Sequence, residues 1–424
     1  MPDVRTWFRG LIGGKEEADA GADDDTRLVP GPMGRLEMGS FTEGSNEFAV
    51  ALYGHLRQLP GNVFLSPFSV RAALGMAHAG AKGDTAAQMS EALRLSLPDD
   101  VRHAALAEIT LRLNAAGGGA YEMEVANSLW GQDGAPLEPR FLDLVARHYG
   151  GGMNLVDFRR GAEGARVAIN NWVVEKTKRK IRDLIPSGGV DAETRLVLVN
   201  AVYFKGMWVV QFRKEATRDE SFFLEGGGTV RAPLMHQETD VRYLRAEGFQ
   251  VVDLNYRGRD LSMLVLLPDR RDGLPDLERK LSARVLHDCV ARMDVREVEI
   301  YLPRFKITWG SVDLSIALAA LGMSLAFARF QADFSGINGH APPHEDSLFI
   351  SAVYHKAFVD VNEEGTEAAA ATAVVMRETM ALRPSRPPPV PIFRADHPFL
   401  FAIRDRKSGT ILFLGRMIDP TRES

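Results

Sequence analysis

Apolar side chains recur with a helical period through much of the first half of the chain. Over residues 46–59 they lie three or four positions apart, which predicts an amphipathic helix packed on a core. Ser66 can cap the next helix and Pro67 suits its first position, so a helix is expected over 68–79. The same spacing predicts further helices at 85–95, 104–114, 139–149, 167–184 and 313–321.

Strand patterns become frequent later in the chain. Residues 121–125 alternate apolar and acidic side chains, as a strand with one buried face does. The near-continuous apolar run 195–204 indicates a strand covered on both faces, and 251–256 with 261–267 predicts a hairpin. More strands are expected at 298–307, 348–361, 399–403 and 411–417. Helices that come first and strands that come later indicate an α+β fold.

Composition narrows the class of partner. The 424 residues carry 51 basic and 56 acidic side chains, a formal charge of -5, so no global attraction to nucleic acid or to an anionic membrane is expected. No apolar run reaches the length of a membrane span, and no secretory signal is visible. Cys289 is the only cysteine, which excludes an internal disulfide, and its apolar neighbours predict a small core residue.

The two ends of the chain are expected to lie outside the folded part. Residues 1–40 combine glycine, alanine and acidic side chains without an apolar period, so they are predicted to be a disordered tail. Residues 41–420 are predicted to form a single domain, with a short tail at 421–424.

One segment near the carboxyl end does not fit its surroundings. Residues 363–372 are mostly small and follow a strong strand, yet they offer little for packing. The connection from 365 to 398 is long, and compact domains rarely hold a structureless loop of this length without a functional reason. From composition alone, an ordinary surface loop or an alanine-rich helix would explain it.

An ordered set of short motifs resembles the serpin family over about residues 47–419. In chain order they are NVFLSPFS at 62–69, AGAKGDT at 79–85, INNWV at 169–173, LVNAVYFKGMW at 198–208, DFSG at 333–336, HKAF at 355–358, EEGTEA at 363–368, DHPFLF at 396–401 and FLGR at 413–416. Each motif alone is weak, whereas the ordered set is specific.

This resemblance implies a serpin fold with three β-sheets, eight or nine helices and an exposed reactive-centre loop at about 363–391. It also implies an irreversible suicide inhibitor of serine proteases. The target protease attacks the loop, forms an acyl-enzyme, and is trapped when the cut loop inserts into the main sheet. The chain would then be no enzyme and would need no cofactor. A monomer in the extracellular space is expected, with the cytoplasm as the alternative because no signal peptide is visible.

The resemblance places a hinge at the start of the loop. Its residues are Glu363, Gly365, Thr366, Glu367, Ala368, Ala369, Ala370, Ala371 and Thr372. After insertion, alternate positions from Thr366 to Val374 would face inward, and none of them carries a charge or a large ring. Glu367 would face solvent. Because burying a charge is costly, this composition favours an inhibitory serpin over a binding or chaperone-like relative.

The resemblance also assigns two sets of residues to named regions of the fold. Ser66, Ser69, Asn200 and His355 would form the shutter, a cluster beneath the central strands. Trp208, Arg304 and Glu363 would form the breach, where insertion begins, with the last two paired as a salt bridge. The alternative interpretation is a helix-capping Ser66 and satisfied core polar groups at 200 and 355.

The bond that is cut is predicted from the usual spacing of the family, counted from Glu363. This places it between Thr379 and Met380, with 380–381 and 382–383 as alternatives. A proline directly after the cut bond binds poorly in serine proteases, which excludes 383–384 and 386–387. The uncharged side chains suit subtilisin-, elastase- or chymotrypsin-like proteases.

Other candidate sites are weaker. His340, His344 and Asp346 could be metal ligands, but their spacing matches no strong zinc pattern, so a polar loop without metal is preferred. The basic cluster at 176–180 could bind a polyanion, although a solvated helix face is the preferred interpretation. An unrelated enzyme is a further alternative, but no nucleophile elbow, zinc-protease helix or phosphate loop is present.

Overall fold

The computed structural model describes residues 34–116, 121–149, 153–366 and 389–423. These ranges contain ten α-helical segments, against the eight or nine expected, and the last two are single turns. The helices are α1 (Arg35–Leu56), α2 (Pro67–His78), α3 (Gly83–Ala92), α4 (Asp99–Ala116), α5 (Pro139–Tyr149), α6 (Phe158–Lys176), α7 (Leu274–Lys280), α8 (Ala283–Arg292), α9 (Ser315–Leu318) and α10 (Ser335–Asn338).

Fifteen strands lie in the same ranges. They are β1 (Val63–Leu65), β2 (Tyr121–Gln132), β3 (Met153–Val156), β4 (Leu196–Met207), β5 (Arg218–Phe223), β6 (Thr229–Ala246), β7 (Phe249–Asn255), β8 (Leu261–Pro268), β9 (Asp294–Pro303), β10 (Phe305–Asp313), β11 (Ile350–Asn362), β12 (Gly365–Thr366), β13 (Ile392–Arg394), β14 (Phe399–Asp405) and β15 (Ile411–Met417).

The strands of the described residues form two hydrogen-bonded sheets. The six-stranded sheet has the order β10-β11-β12-β4-β2-β3, with an additional parallel pairing of β11 with β4. The nine-stranded sheet runs β1-β15-β14-β8-β7-β6-β9-β13, with β5 on β6. The three expected sheets appear as two because β6 is continuous over 18 residues and pairs with β5, β7 and β9 along its length.

The six-stranded sheet is covered on both faces. Every residue of α2 is buried, and the helix packs against β2, β4 and β15 on one side. On the other side α6 contributes Phe158, Ile169 and Val173 to an apolar cluster with residues of β2, β4 and β11. Alternate side chains of β4 therefore enter two different cores, which is why its sequence is a continuous apolar run.

Some sequence-based boundaries need correction. The first helix begins at Arg35, so residues 35–40 do not belong to a disordered tail. Its first turn has no apolar period because it is largely exposed, and the Glu37 carboxylate accepts a hydrogen bond from the Gly34 amide at 3.2 Å. At the other end, Glu423 forms an ion pair with Lys306 at 3.3 Å.

The expected strand at 298–307 is two strands in different sheets. The chain leaves β9 of the larger sheet at Pro303 and enters β10 of the smaller sheet at Phe305. Both halves have the period of a strand, so the pattern of side chains cannot show that the hydrogen-bonding partners change at Arg304.

One smaller expectation, on the single cysteine, is confirmed. Cys289 is buried on α8, and burial raises the pKa of its thiol. Among the described residues, the helices are all too short or too polar to cross a membrane.

Gly310 gives a test of the packing between β10 and β11. It has φ +132°, and an alanine Cβ there would overlap the His355 carbonyl oxygen and lie 2.5 Å from Lys356 Cα. We expect Gly310→Ala to lower the free energy of unfolding by about 2–4 kcal/mol. Gly134 also has positive φ but open space around it, so Gly134→Ala should cost only about 1 kcal/mol. Equal losses in denaturant unfolding would show that the contact with β11 has no role.

Candidate functional site

The central strands of the six-stranded sheet form a fork. Strands β11 and β4 pair in parallel from the Ile350–Leu196 end up to Phe358 and Tyr203. Beyond that point β12 lies between them, antiparallel to both. Thr366 is opposite Val361 of β11 and Gly206 of β4. Gly365 and Thr366, the two residues of β12, thus already lie between the central strands β4 and β11.

Gly365 fits in the fork because it has no side chain. Its φ is +150°, and an added Cβ would overlap the Gly206 carbonyl oxygen and lie 2.5 Å from Met207 Cα. Only glycine allows the backbone to approach β4 this closely.

Thr366 is fully buried next to two aromatic rings. Its hydroxyl is hydrogen-bonded to the Tyr256 hydroxyl at 2.9 Å. Burial raises the pKa of Tyr256, which therefore stays protonated. The Tyr256 ring stacks on Trp208 with centroids 4.6 Å apart, and the Trp208 indole N–H donates to the Asn362 carbonyl at 3.0 Å. Trp208 thus lies close to the start of β12.

The other two breach residues are paired as expected. Arg304 forms an ion pair with the Glu363 carboxylate, which also accepts a hydrogen bond from the Thr217 hydroxyl at 2.7 Å. The Glu363 side chain is 3% exposed, whereas that of Arg304 is 47% exposed. Burial alone would raise the pKa of Glu363, but the hydrogen bonds from Arg304 and Thr217 outweigh it and lower the pKa.

The backbone of the same turn is anchored separately. The Phe212 amide donates to the Glu363 carbonyl and the Trp208 amide donates to the Glu364 carbonyl, each at 2.9 Å. The Lys214 ammonium also pairs with the Glu364 carboxylate at 2.5 Å. The segment after β4 therefore holds the root of the loop through both its backbone and its side chains.

All four predicted shutter residues meet in one buried cluster. The Ser66 amide donates to His355 Nε2 at 3.2 Å, and His355 Nδ1 is hydrogen-bonded to Asn200 Oδ1. The Asn200 amide group donates to Ser69 Oγ at 2.5 Å. Ser66 also caps α2, since its Oγ accepts from the Ser69 amide at 3.3 Å. The helix-cap and shutter interpretations are therefore compatible.

Asn127 on β2 is a fifth member that sequence reasoning missed. Its Oδ1 accepts from Ser69 Oγ at 3.0 Å and from the Asn200 side chain, and it lies opposite Asn200 in the register of β2 with β4. The available signal was the pair of polar residues Asn127 and Ser128 within the otherwise apolar run 125–130. That run could not show which residue of β4 would lie opposite.

The hydrogen bonds of His355 define its protonation. Because Nε2 accepts from a backbone amide, the ring proton must be on Nδ1, where it is donated to Asn200. Burial lowers the pKa of His355 to about 3. The hydrogen-bonded cluster around His355 therefore contains a neutral imidazole.

Part of the predicted site lies outside the described residues. Hinge residues Glu367, Ala368, Ala369, Ala370, Ala371 and Thr372, and the predicted cut between Thr379 and Met380, fall in the range 367–388. These assignments stay predictions.

The weaker candidate sites have defined contacts. The ligand atoms of His340, His344 and Asp346 lie within 4.8 Å of one another in the loop after α10. In the basic cluster, the Lys178 ammonium pairs with Glu122 and Glu124 of β2. Part of that cluster's charge is thus already compensated.

Comparison with known proteins identifies the family. The model described as Serpin (serine protease inhibitor) matches residues 43–420. Leukocyte elastase inhibitor of Sus scrofa is 40% identical over 393 residues, 90% of this chain and 100% of that protein. A serpin-like protein of Thermococcus kodakarensis is 39% identical over 375 residues, covering 88% and 84%. The crystal structure of uncleaved ovalbumin has a TM-score of 0.79 at 30% identity, covering 90% of this chain and 100% of that one.

The neutral His355 predicts a pH dependence. Its folded pKa of about 3 is below the ordinary value of 6.5, so below pH 6.5 the unfolded chain binds a proton that the folded chain excludes. Stability should therefore fall as the pH is lowered from 6.5, by up to about 1.4 kcal/mol per pH unit from this group. Urea unfolding between pH 7.5 and 5 measures this. Other histidines, such as His103, contribute in the same direction, so the comparison is with His355→Gln, whose slope should be shallower. Identical slopes would contradict the assignment.

Proposed function

The chain belongs to the serpin family, and we propose that it traps a serine protease irreversibly by inserting its cleaved reactive-centre loop between β4 and β11. The matching family model is described as serine protease inhibitor and the relatives include leukocyte elastase inhibitors, which supports an inhibitor and not an enzyme. The leukocyte elastase inhibitors among its relatives support an elastase-like target. The observation that carries the proposal is β12, which already lies between the two strands that would have to part.

The register of β12 indicates where the rest of the loop would go. Antiparallel pairing advances one residue along each strand, and Thr366 is opposite Val361 and Gly206. Continuing by six residues places Thr372 opposite both Asn200 and His355. Their mutual hydrogen bond would then have to break, and the Thr372 hydroxyl could replace each lost partner. The hydrogen bond between Asn200 and His355 would thus block the inserting strand until it breaks.

The inward face of that path requires small neutral side chains. Thr366 faces the same core as Leu198, Val202 and Phe204 of β4. Alternation then directs Ala368, Ala370 and Thr372 to this core and Glu367 to the opposite face. A binding serpin without inhibition would not need this pattern, so inhibition is the favoured function.

The covering helix must also move. Helix α6 and the residues after it, 181–190, share one apolar cluster with β2, β4 and β11 on the face of the sheet where β4 and β11 would separate. Opening the sheet would disturb this contact and the shutter together, which would slow insertion until cleavage frees the loop. The uncleaved fold would then be a kinetic trap.

The test is the formation of SDS-resistant adducts with subtilisin, elastase, chymotrypsin or trypsin. Thr366→Arg should turn the inhibitor into a substrate, because a charged residue cannot enter the core beside Tyr256. Glu367→Arg is the matched control, since its side chain would face away from that core, and should keep adduct formation. Equal adduct yields from both variants would contradict insertion.

Mass spectrometry of the fragment released from the adduct identifies the cut bond. A new amino terminus at Met380, Ala381 or Arg383 would agree with the predicted specificity, and one at Glu378 or Pro384 would contradict it.

Cleavage without a trapped protease gives an independent prediction. Cutting near residue 380 should raise the melting temperature, because the freed loop adds a central strand to the six-stranded sheet. Nicked proteins usually lose stability instead. A cleaved form that melts at or below the temperature of the intact protein in calorimetry would rule out this mechanism.

A further inference from the structure

The loop between α10 and β11 gathers two imidazoles and a carboxylate. The ligand atoms of His340, His344 and Asp346 lie within 4.8 Å of one another, and the two imidazole rings stack with centroids 4.3 Å apart. No role in the serpin mechanism described above accounts for this cluster.

One buried side chain fixes both ends of the cluster. Asn338 Oδ1 accepts from the His340 amide at 3.1 Å, and Asn338 Nδ2 donates to the Asp346 carbonyl at 2.8 Å. Between these ends, the Asp346 amide donates to His344 Nδ1 at 3.0 Å. This hydrogen bond uses the lone pair of Nδ1 and leaves the ring proton on Nε2, so His344 would bind a metal only when the bond to the Asp346 amide breaks. The loop backbone holds the three side chains together before any ligand arrives.

We propose that His340, His344 and Asp346 bind a late first-row divalent metal ion, with Zn²⁺ as the representative case. Imidazole nitrogen and carboxylate oxygen are ordinary zinc ligands at about 2.0–2.2 Å, so three atoms within 4.8 Å can close on one ion once the two imidazole rings rotate out of their stacked arrangement. A fourth position would be left for water or an external ligand. The spacing along the sequence fits no common zinc pattern because the ligands come from one tight loop, whereas such patterns describe knuckles and helices.

The metal would compete with an existing ion pair. Asp346 Oδ1 accepts from Arg159 Nη2 at 2.7 Å, and Arg159 lies in the first turn of α6. Both side chains are more than 40% exposed, so the pair is weak and can be displaced. Metal binding would take the Asp346 carboxylate and release Arg159.

Through this competition, metal binding would regulate loop insertion, an inference that rests on the proposed function. The Arg159–Asp346 pair ties α6 to the loop that leads into β11, and α6 must move when the sheet opens. Releasing Arg159 would loosen the covering helix at one end. Zinc would then change how often the loop inserts before the acyl-enzyme hydrolyses.

Isothermal titration of the full chain with ZnCl₂ tests the binding. We expect one equivalent to bind, and His340→Ala and His344→Ala each to weaken the affinity about tenfold or more. His287→Ala is the matched control, because His287 is an exposed histidine beside Asp288 on α8 and should change nothing. Arg159→Ala should tighten binding several-fold, since it removes the competing cation. MgCl₂ should give no saturable heat, since magnesium prefers an all-oxygen octahedral site.

Each of the following results would overturn the proposal or a part of it. Absence of saturable zinc binding, or equal affinities for wild type and His340→Ala, would remove the site. Unchanged affinity in Asp346→Asn would remove Asp346 as a ligand, and unchanged affinity in Arg159→Ala would remove the link to α6. For regulation, the number of inhibitor molecules consumed per protease is compared with and without zinc in wild type and His340→Ala. If zinc changed this number equally in both proteins, the effect would come from the protease. That result would contradict the coupling between the metal site and loop insertion. Failure of all adduct formation would instead count against the proposed function and leave the titration result intact.

Discussion

The parallel pairing of β4 with β11 is the constraint on which the rest of the structure depends. Over residues 196–203 and 350–358 these strands satisfy each other's backbone groups, and their side chains enter the cores on both faces of the sheet. In the middle of this seam, His355 and Asn200 add a side-chain hydrogen bond that continues to Ser66, Ser69 and Asn127. Because buried polar groups are costly to leave unpaired, the seam can open only if something replaces these bonds. The fork shows where replacement would begin.

Much of the fold could be predicted where local pattern and tertiary environment agree. Helix α5 and strand β15 have the predicted bounds, and the hairpin of β7 and β8 was recognised from its two apolar runs. Predictions failed where the burial of a segment in the fold differs from what its pattern of apolar and polar side chains indicates. Strand β6 was not predicted, since its 18 residues are only intermittently buried, and α6 was placed too late in the chain because its first turns expose much of their surface.

Only some residues of the candidate site could be predicted from the sequence, as for the fold. The order of motifs predicted that His355 and Asn200 lie together and that Arg304 pairs with Glu363, because the resemblance assigns a role to each position along the chain. It could not identify Asn127, Thr217 or Tyr256, whose roles come from cross-strand register and packing between distant segments. The proposed metal site has no recognisable sequence pattern for a related reason, since the spacing of ligands in sequence says little about a loop closed by Asn338.

The anchored turn at Glu363 and Glu364 affects how accurately the loop can align with β4 and β11. Two backbone hydrogen bonds from Trp208 and Phe212 fix these carbonyls, so the loop starts from the same alignment in every molecule. A slip of one residue would reverse the two faces of the incoming strand and direct Glu367 at the apolar core. In the proposed insertion, the pairing of Thr366 with Gly206 would exclude competing alignments over the four-alanine run 368–371. The anchored turn would then fix an alignment that identical alanine side chains cannot specify.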